Sequence, residues 1–316
     1  METSPVTLAE VQSSERFEGY VLVRSAEYRT STAGKTYIDI NVSDRSGLIN
    51  GKMWDGSHPL PKVGSVIRIR ATGNEFNGRM QLRVEKMEKV QNPEDIDWSQ
   101  LVPSAPIEAK QMLSEIRTSA EAIEDPDYRA LTCALLKRAG DALLYYPAAK
   151  QMHHAERGGL LYHTLTMLRV AQSLLPIYPH LNASLLIAGV ICHDLAKIDE
   201  MDADSTGYVQ DYSLDGKLIG HIVRGVINVA EEGKALGIHH EKMLLLEHMI
   251  LSHHGLAEYG SPKQPMIPEA EVLNLIDTLD ARLNEMESAI VYTTPGSFSE
   301  KVRGLDNRQI YRAQKS

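Results

Sequence analysis

The sequence predicts a small β-barrel followed by an all-α region, and three observations carry that expectation. From about Phe17 to Val90, apolar and polar residues alternate with the period of two that half-buried strands require. Residues 91–107, "QNPEDIDWSQLVPSAPI", hold three prolines and no sustained period. Beyond them the apolar spacing becomes three-and-four, the period of helices, and stays so to about residue 293.

Five strands are expected in the first part: "GYVLVRSAEYRT", "KTYIDINVSD", "LINGKMWD", "SVIRIRATGNEF" and "MQLRVEKMEKV". Ile38, Ile40 and Val42 should face inward, and Tyr37, Asp39 and Asn41 outward. Arg68 and Arg70 alternate with Ile67 and Ile69 in the same way. Five short strands match the OB-fold, a small Greek-key barrel, although jelly-roll and SH3-like barrels share that size. The expected domains are residues 1–90 for the barrel and 91–107 for a linker pinned by Trp98. An all-α bundle should fill 108–295, and 296–316 form a polar, basic tail, either surface-bound or partly disordered.

Helices are expected over 107–123, 126–144, 159–175, 181–197, 215–236, 240–252 and 268–292. Pro126 and Pro268 sit where first-turn prolines belong. Two cysteines, Cys133 and Cys192, exclude a disulfide scaffold and suit a reducing cytoplasm. The opening "METSPVTLAEVQ" lacks a signal peptide's basic and apolar blocks, and no apolar run approaches the ~18 residues of a membrane span. The expectation is a cytoplasmic protein with no membrane partner. Net charge is −9, but unevenly spread: 13 basic against 11 acidic residues through position 90, then 20 against 31. That asymmetry suits nucleic-acid contact in front and cation binding behind.

The helical region carries the chemistry. In "GGLLYHTLTMLRVAQSLL", Leu160, His163, Met167, Val170 and Leu174 form one stripe, which places His163 toward the core. "GVICHDLAKIDEM" sets His193 and Asp194 about 100° apart on an expected helix, with Lys197 on their shared face. An acid near a helix C-terminus opposes the dipole unless a cation answers it. His221 lies on an apolar helix, and His253 and His254 precede a terminating Gly255. In "PEAEVLNLIDTLDARLNEM" the core stripe is Val272, Ile276, Leu279, Leu283 and Met286, edged by Asp277 and Asp280. Either aspartate could meet a metal, and the other could orient a ligand or face solvent. Each histidine alone fits a core or capping role. Together they form an imidazole-and-carboxylate set without cysteine, suited to Mn, Fe, Co, Ni or Zn. Paired cations would polarise a phosphate and activate water for phosphoester hydrolysis.

The series His163 … His193-Asp194 … His221 … His253-His254 … Asp277 resembles the His-Asp (HD) phosphohydrolase superfamily. "HHAERGGLLYHTLTM", "CHDLAKIDEM", "LIGHIV", "LSHHGLAEYGSP" and "IDTLDARLNEME" resemble its YhaM-type 3′→5′ exoribonuclease branch. The barrel stretch "YIDINVSDRSGLINGKMWD" and the tail "FSEKVRGLDNRQIY" extend the likeness over nearly the whole chain. The resemblance implies His163, His193, Asp194 and Asp277 as core metal ligands, with His221, His253 and His254 completing a second site. It favours Asp277 over Asp280, and leaves open which of His253 and His254 ligates directly. Lys197 would face the scissile phosphate, while His154 and Arg157 would position phosphate. Two divalent ions per site are implied, Mn2+ favoured over Co2+, Fe2+, Ni2+ or Zn2+. Homo-oligomers are compatible with the likeness.

Tyr20, Tyr28, Tyr37, Trp54 and Phe76 offer base-stacking faces, and Arg24, Arg29, Lys52, Arg68, Arg70 and Arg83 offer backbone contacts. Tyr37, Trp54, Arg68 and Arg70 are the nucleic-acid-binding candidates. The expected function is a metal-dependent 3′→5′ exoribonuclease releasing nucleoside monophosphates from single-stranded RNA, with single-stranded DNA a second substrate. Hydrolysis of free nucleotides or alarmones, and non-catalytic nucleic-acid binding, are the alternatives.

Overall fold

Strands β1 (Arg16–Thr30), β2 (Thr36–Asp44), β3 (Gly47–Met53), β4 (Val66–Phe76) and β5 (Arg79–Lys89) close into a barrel in the order β1-β2-β3-β5-β4. The computed structural model describes residues 7–31, 34–76, 79–90, 96–150, 154–291 and 293–314. β1 pairs antiparallel with both β2 and β4, and β3 runs parallel to β5, which makes the barrel OB-like. The alternation is what packs it. Ile38, Ile40, Val42, Ile67 and Ile69 are buried inside, while Tyr37, Asp39 and Asn41 lie half-buried on the outer side. A register shift between Val23 and Ser25 bends β1 so that it serves both neighbours.

The chain divides into Met1–Ser104 and Ala105–Ser316. Residues 91–95 of the expected linker lie outside the described residues. Farther along it, Leu101 and Val102 are buried against Leu22, and Trp98 packs beside them. Asp97 caps the short 3-10 turn Trp98–Gln100 by accepting from the Ser99 N–H.

The second unit is helical: α1 (Ala109–Glu121), α2 (Pro126–Ala139), α3 (Gly159–Leu174), α4 (Ala183–Cys192), α5 (Lys197–Glu200), α6 (Leu214–Leu218), α7 (Gly220–Leu236), α8 (His240–Ser252) and α9 (Pro268–Val291). α3 packs against α1, α4 and α9. Its buried Leu160, Leu161, Leu165 and Leu168 join Leu186, Val190, Leu246 and Leu273 in one core. No helix among the described residues is long and apolar enough to cross a membrane.

Several expected elements differ. The helix anticipated over 181–197 ends at Cys192, because hydrogen bonding tightens there from the i−4 to the i−3 pattern, as in Leu195 N–H to Cys192 O and Lys197 N–H to Asp194 O. His193, still αR and bonded to Gly189 O, is the C-cap of α4, and Asp194 lies in the turn that follows. The span 126–144 ends its α-helix at Ala139; Gly140 (φ 62°) turns the chain into a 3-10 stretch. The span 215–236 breaks at Gly220 (φ 69°) into α6 and α7. An unanticipated hairpin, β6 (Met201–Ala203) with β7 (Val209–Tyr212), precedes them.

The α9 stripe was expected out of phase. Leu273 and Ile276 are buried, but Leu279 and Leu283 are 46% and 54% exposed. Beyond Ile276 the inward face is taken by Asp277, Asp280 and Asn284, so the leucines turn out. The tail is docked: Leu305 is buried, and the Arg312 guanidinium donates to the carbonyls of Ile290, Val291 and Thr293 at the end of α9.

Candidate metal centre

Two helices deliver histidines to one point by crossing closely. A Cβ at Gly189 would lie 2.2 Å from the terminal methyl of Met249 and 3.5 Å from its Cβ, so α4 and α8 pack closely there and a larger residue would have to displace that side chain. Each helix is capped by a histidine, His193 and His253, whose rings come 5.1 Å apart. The last-turn carbonyls, which have no intrahelical partner, accept from these rings: His193 Nδ1–H to Val190 O at 2.8 Å, and His253 Nδ1–H to Ile250 O at 2.6 Å. A carbonyl can only accept, so Nδ1 carries a proton and Nε2 is the atom turned toward the other donors. His254 is held alike, Nδ1–H to Tyr259 O at 2.7 Å.

Carboxylates orient the other two. His163, fully buried on α3, meets Asp280 Oδ2 through Nδ1 at 2.7 Å. His221, in the first turn of α7, meets Glu200 Oε1 through Nδ1 at 2.9 Å, and its backbone N–H reaches the same oxygen at 3.1 Å.

The Nε2 atoms and the carboxylates then converge in two groups. His163 Nε2 lies 3.4 Å from His193 Nε2 and 3.2 Å from Asp277 Oδ1. His221, His253 and His254 make the second group, their donor atoms within 4.8 Å of one another. Asp194 stands between. Its Oδ2 is 3.4 Å from His193 Nε2 and 3.7 Å from His163 Nε2, while Oδ1 is 3.5 Å from His221 Nε2 and 3.6 Å from His253 Nε2. A cation ~2.0–2.2 Å from each donor sets donor separations of about 3.0–3.6 Å. These donors fit. Moreover, Asp194 Oδ1, His221 Nε2 and His253 Nε2 are buried with no hydrogen-bond partner among the described residues, a costly arrangement that a shared cation would relieve. The geometry therefore offers a donor set for divalent metal.

Asp280 is different. It contacts His163 Nδ1 at 2.7 Å and His154 Nε2 at 2.8 Å through one oxygen, hydrogen-bond rather than shared-ligand distances. Of the phosphate-positioning candidates, His154 is buried behind Asp280 with its backbone N–H on Asn284, and Arg157 donates to Ser205 O.

The two groups differ in their electrostatics. Burial pushes the His254 imidazole down to about 4, keeping it neutral at pH 7. Burial also pulls His163 down, but hydrogen bonds to Asp277 and Asp280 outweigh it and raise it to about 9. Burial would raise the Asp194 carboxyl, yet the Lys197 ammonium and His193 hold it well below the usual carboxylate range. Lys197 donates to Asp194 Oδ2 at 2.6 Å.

Residues 160–282 match the HD domain model. The 3′-5′ exoribonuclease YhaM of Halalkalibacterium halodurans is 38% identical over 307 residues, covering 95% of this chain and 94% of that protein. The YhaM of Shouchella clausii is 37% identical over 304 residues, covering 94% and 93%. The chain belongs to the YhaM family. Among solved structures, the second OB-fold domain of replication protein A from Methanococcus maripaludis is 12% identical, covering 28% of this chain and 97% of that domain with a TM-score of 0.24. The barrel is classed by its own strand order, not by that likeness.

On this YhaM-family barrel the four nucleic-acid candidates divide. Tyr37 and Trp54 form a tilted pair with centroids 4.9 Å apart, and Lys52 lies 5.7 Å from the Tyr37 ring and 5.5 Å from that of Phe76. Arg68 and Arg70 instead share Glu18, at 3.1 and 3.0 Å. Sequence reasoning missed Glu200, Asn274 and Asn284. Glu200 had a signal, an acid one turn after Lys197; the two asparagines, which hold His253 O and His154, had none.

Proposed function

We infer that this chain is a divalent-metal-dependent 3′→5′ exoribonuclease, Mn2+ favoured, with two cations shared through Asp194. The observation that carries the reading is the division of the Asp194 carboxylate, Oδ2 toward His163 and His193, Oδ1 toward His221 and His253. When bound, such cations supply Lewis acidity to a phosphate and lower the pKa of water. The chain does the rest. The imidazoles, held at Nδ1 by carbonyls and carboxylates, aim their Nε2 atoms at the cation positions without rearrangement. The Lys197 ammonium spends one donor on Asp194 and has others for the scissile phosphate, where its charge favours the transition state. Asp277 and Asp194 would hold divalent cations and offset their charge, and Asp280 with His154 keeps His163 in place.

The barrel serves as the single-strand holder, with Tyr37, Trp54 and Phe76 for bases and Lys52 for phosphate. The likeness in sequence to two YhaM exoribonucleases over both units supports this division of labour. Free thiols at Cys133 and Cys192 agree with a reducing cytoplasm.

The test is Mn2+ with single-stranded RNA labelled separately at each end. Stepwise shortening of 5′-labelled RNA with immediate mononucleotide release from 3′-labelled RNA is expected. Internal cuts, or full activity in the His193→Ala, Asp194→Ala double variant, would refute the reading. Single-stranded DNA in the same assay measures the second substrate.

A further inference from the structure

Each half of the donor set has one histidine held by a carboxylate rather than by a backbone carbonyl. In the half built from His163, His193 and Asp277 that carboxylate is Asp280, and in the half built from His221, His253 and His254 it is Glu200. Glu200 is a deliberate placement by the chain. It ends α5, its side chain is only 14% exposed, and one oxygen accepts from both the backbone N–H and Nδ1–H of His221. α7 has no side-chain cap of its own, and Gly220, at φ 69°, brings its first turn onto Glu200: a Cβ there would already stand 3.5 Å from Oε1. Two bonds to one carboxylate fix both the direction and the tautomer of the ring, so His221 Nε2 faces Asp194 Oδ1.

We propose that Glu200 is the positioning residue of the second half as Asp280 is of the first, so that the two cations are braced separately and can be lost separately. The inference rests on the two-cation reading above. A carboxylate behind a ligand histidine raises its basicity as well as aiming it, and losing such a partner costs about 10–100-fold in metal affinity. The remaining ligands of each half answer to other groups: Val190 O, Ile250 O and Tyr259 O. Removing one carboxylate therefore leaves the opposite half aimed.

The experiment titrates Mn2+ into the metal-free full chain by calorimetry, with bound metal counted by mass spectrometry and the electron spin resonance signal recorded. Two binding events and a coupled signal are expected for the wild type. Glu200→Gln keeps an acceptor and so should preserve the metal-free melting temperature, yet weaken one event by about 10–100-fold and give a mononuclear Mn2+ signal. Asp280→Asn should weaken the other event. In a His254→Ala background, Glu200→Gln should add little while Asp280→Asn still removes the remaining cation. A residue that only caps α7 would lower the melting temperature and leave both affinities alone; that result overturns the proposal, as does loss of both events together or loss of the same event in both variants. If Glu200→Gln lowers metal-free stability, Glu200→Asp, which keeps the charge, must restore the weakened event or the proposal fails. A wild type that takes up no Mn2+ would instead remove the reading beneath it.

Discussion

His163 and His193 face one another Nε2 to Nε2 at 3.4 Å, although thirty residues separate them in the chain. The Nδ1–H of His193 is spent on Val190 O, which leaves its Nε2 as the atom that faces His163. Burial pulls His163 down, but hydrogen bonds to Asp277 and Asp280 raise it to about 9, so without a cation it holds a proton at pH 7. The metal-free site is thus a protonated stand-in for the loaded one. Chelation should abolish hydrolysis of RNA, and Mn2+ should restore it. At a metal concentration of 100 Kd, one site adds about 2.7 kcal/mol, which for a unit of this size raises Tm by about 5–10 °C in differential scanning calorimetry. Equal Tm with and without Mn2+ would contradict the site.

Asp194 and Lys197 form a buried ion pair, so removing one partner strands the other. Asp194→Ala should lower the stability of the metal-free protein by about 3–5 kcal/mol in urea unfolding. Adding Lys197→Met should recover much of that loss without recovering activity. Equal stability of the single and double variants would show that the pair is not what holds the turn.

Trp54 and Arg68 should behave differently. Trp54 stacks with Tyr37, and its removal should weaken single-stranded RNA binding by about 1–3 kcal/mol in fluorescence anisotropy. Arg68 is already engaged with Glu18, so Arg68→Ala should cost less than about 1 kcal/mol. A larger loss at Arg68 would move the binding face to β1 and β4.

Asp125 gives a pH prediction away from the metal. Burial would raise its carboxyl, but hydrogen bonding from Lys242 and from the Tyr128 and Asp127 N–H groups outweighs it and lowers the folded-state pKa. A lowered folded pKa contributes stability that is present above the unfolded value of 3.8 and lost as pH falls through the folded one. The Tm gap between wild type and Asp125→Ala, worth about 0.5–2 kcal/mol for the cap alone, should hold at pH 7 and close below about pH 4. A gap that widens on acidification would reverse the sign of the shift.

Much of the molecule was legible in the sequence, for physical reasons. Alternation in Ile38-Ile40-Val42 fixed strands, because every second side chain must leave water, and the helical stripe through Leu160 and Met167 put His163 inside. The metal-binding types stood out because imidazole and carboxylate are costly in an apolar helix. Phase and company were not legible. Whether Asp277 or Asp280 faces the histidines depends on how α9 rotates against α3 and α4, and spacing of three fits either. The ending of α4 at Cys192, and the β6–β7 hairpin that delivers Glu200 to His221, depend on long-range contacts with no local period. Residue type by itself determined that cations were wanted. Only tertiary packing, through the close α4–α8 crossing at Gly189, decided where the lone pairs would meet, because direction in space is a property of packed helices and not of their spacing along the chain.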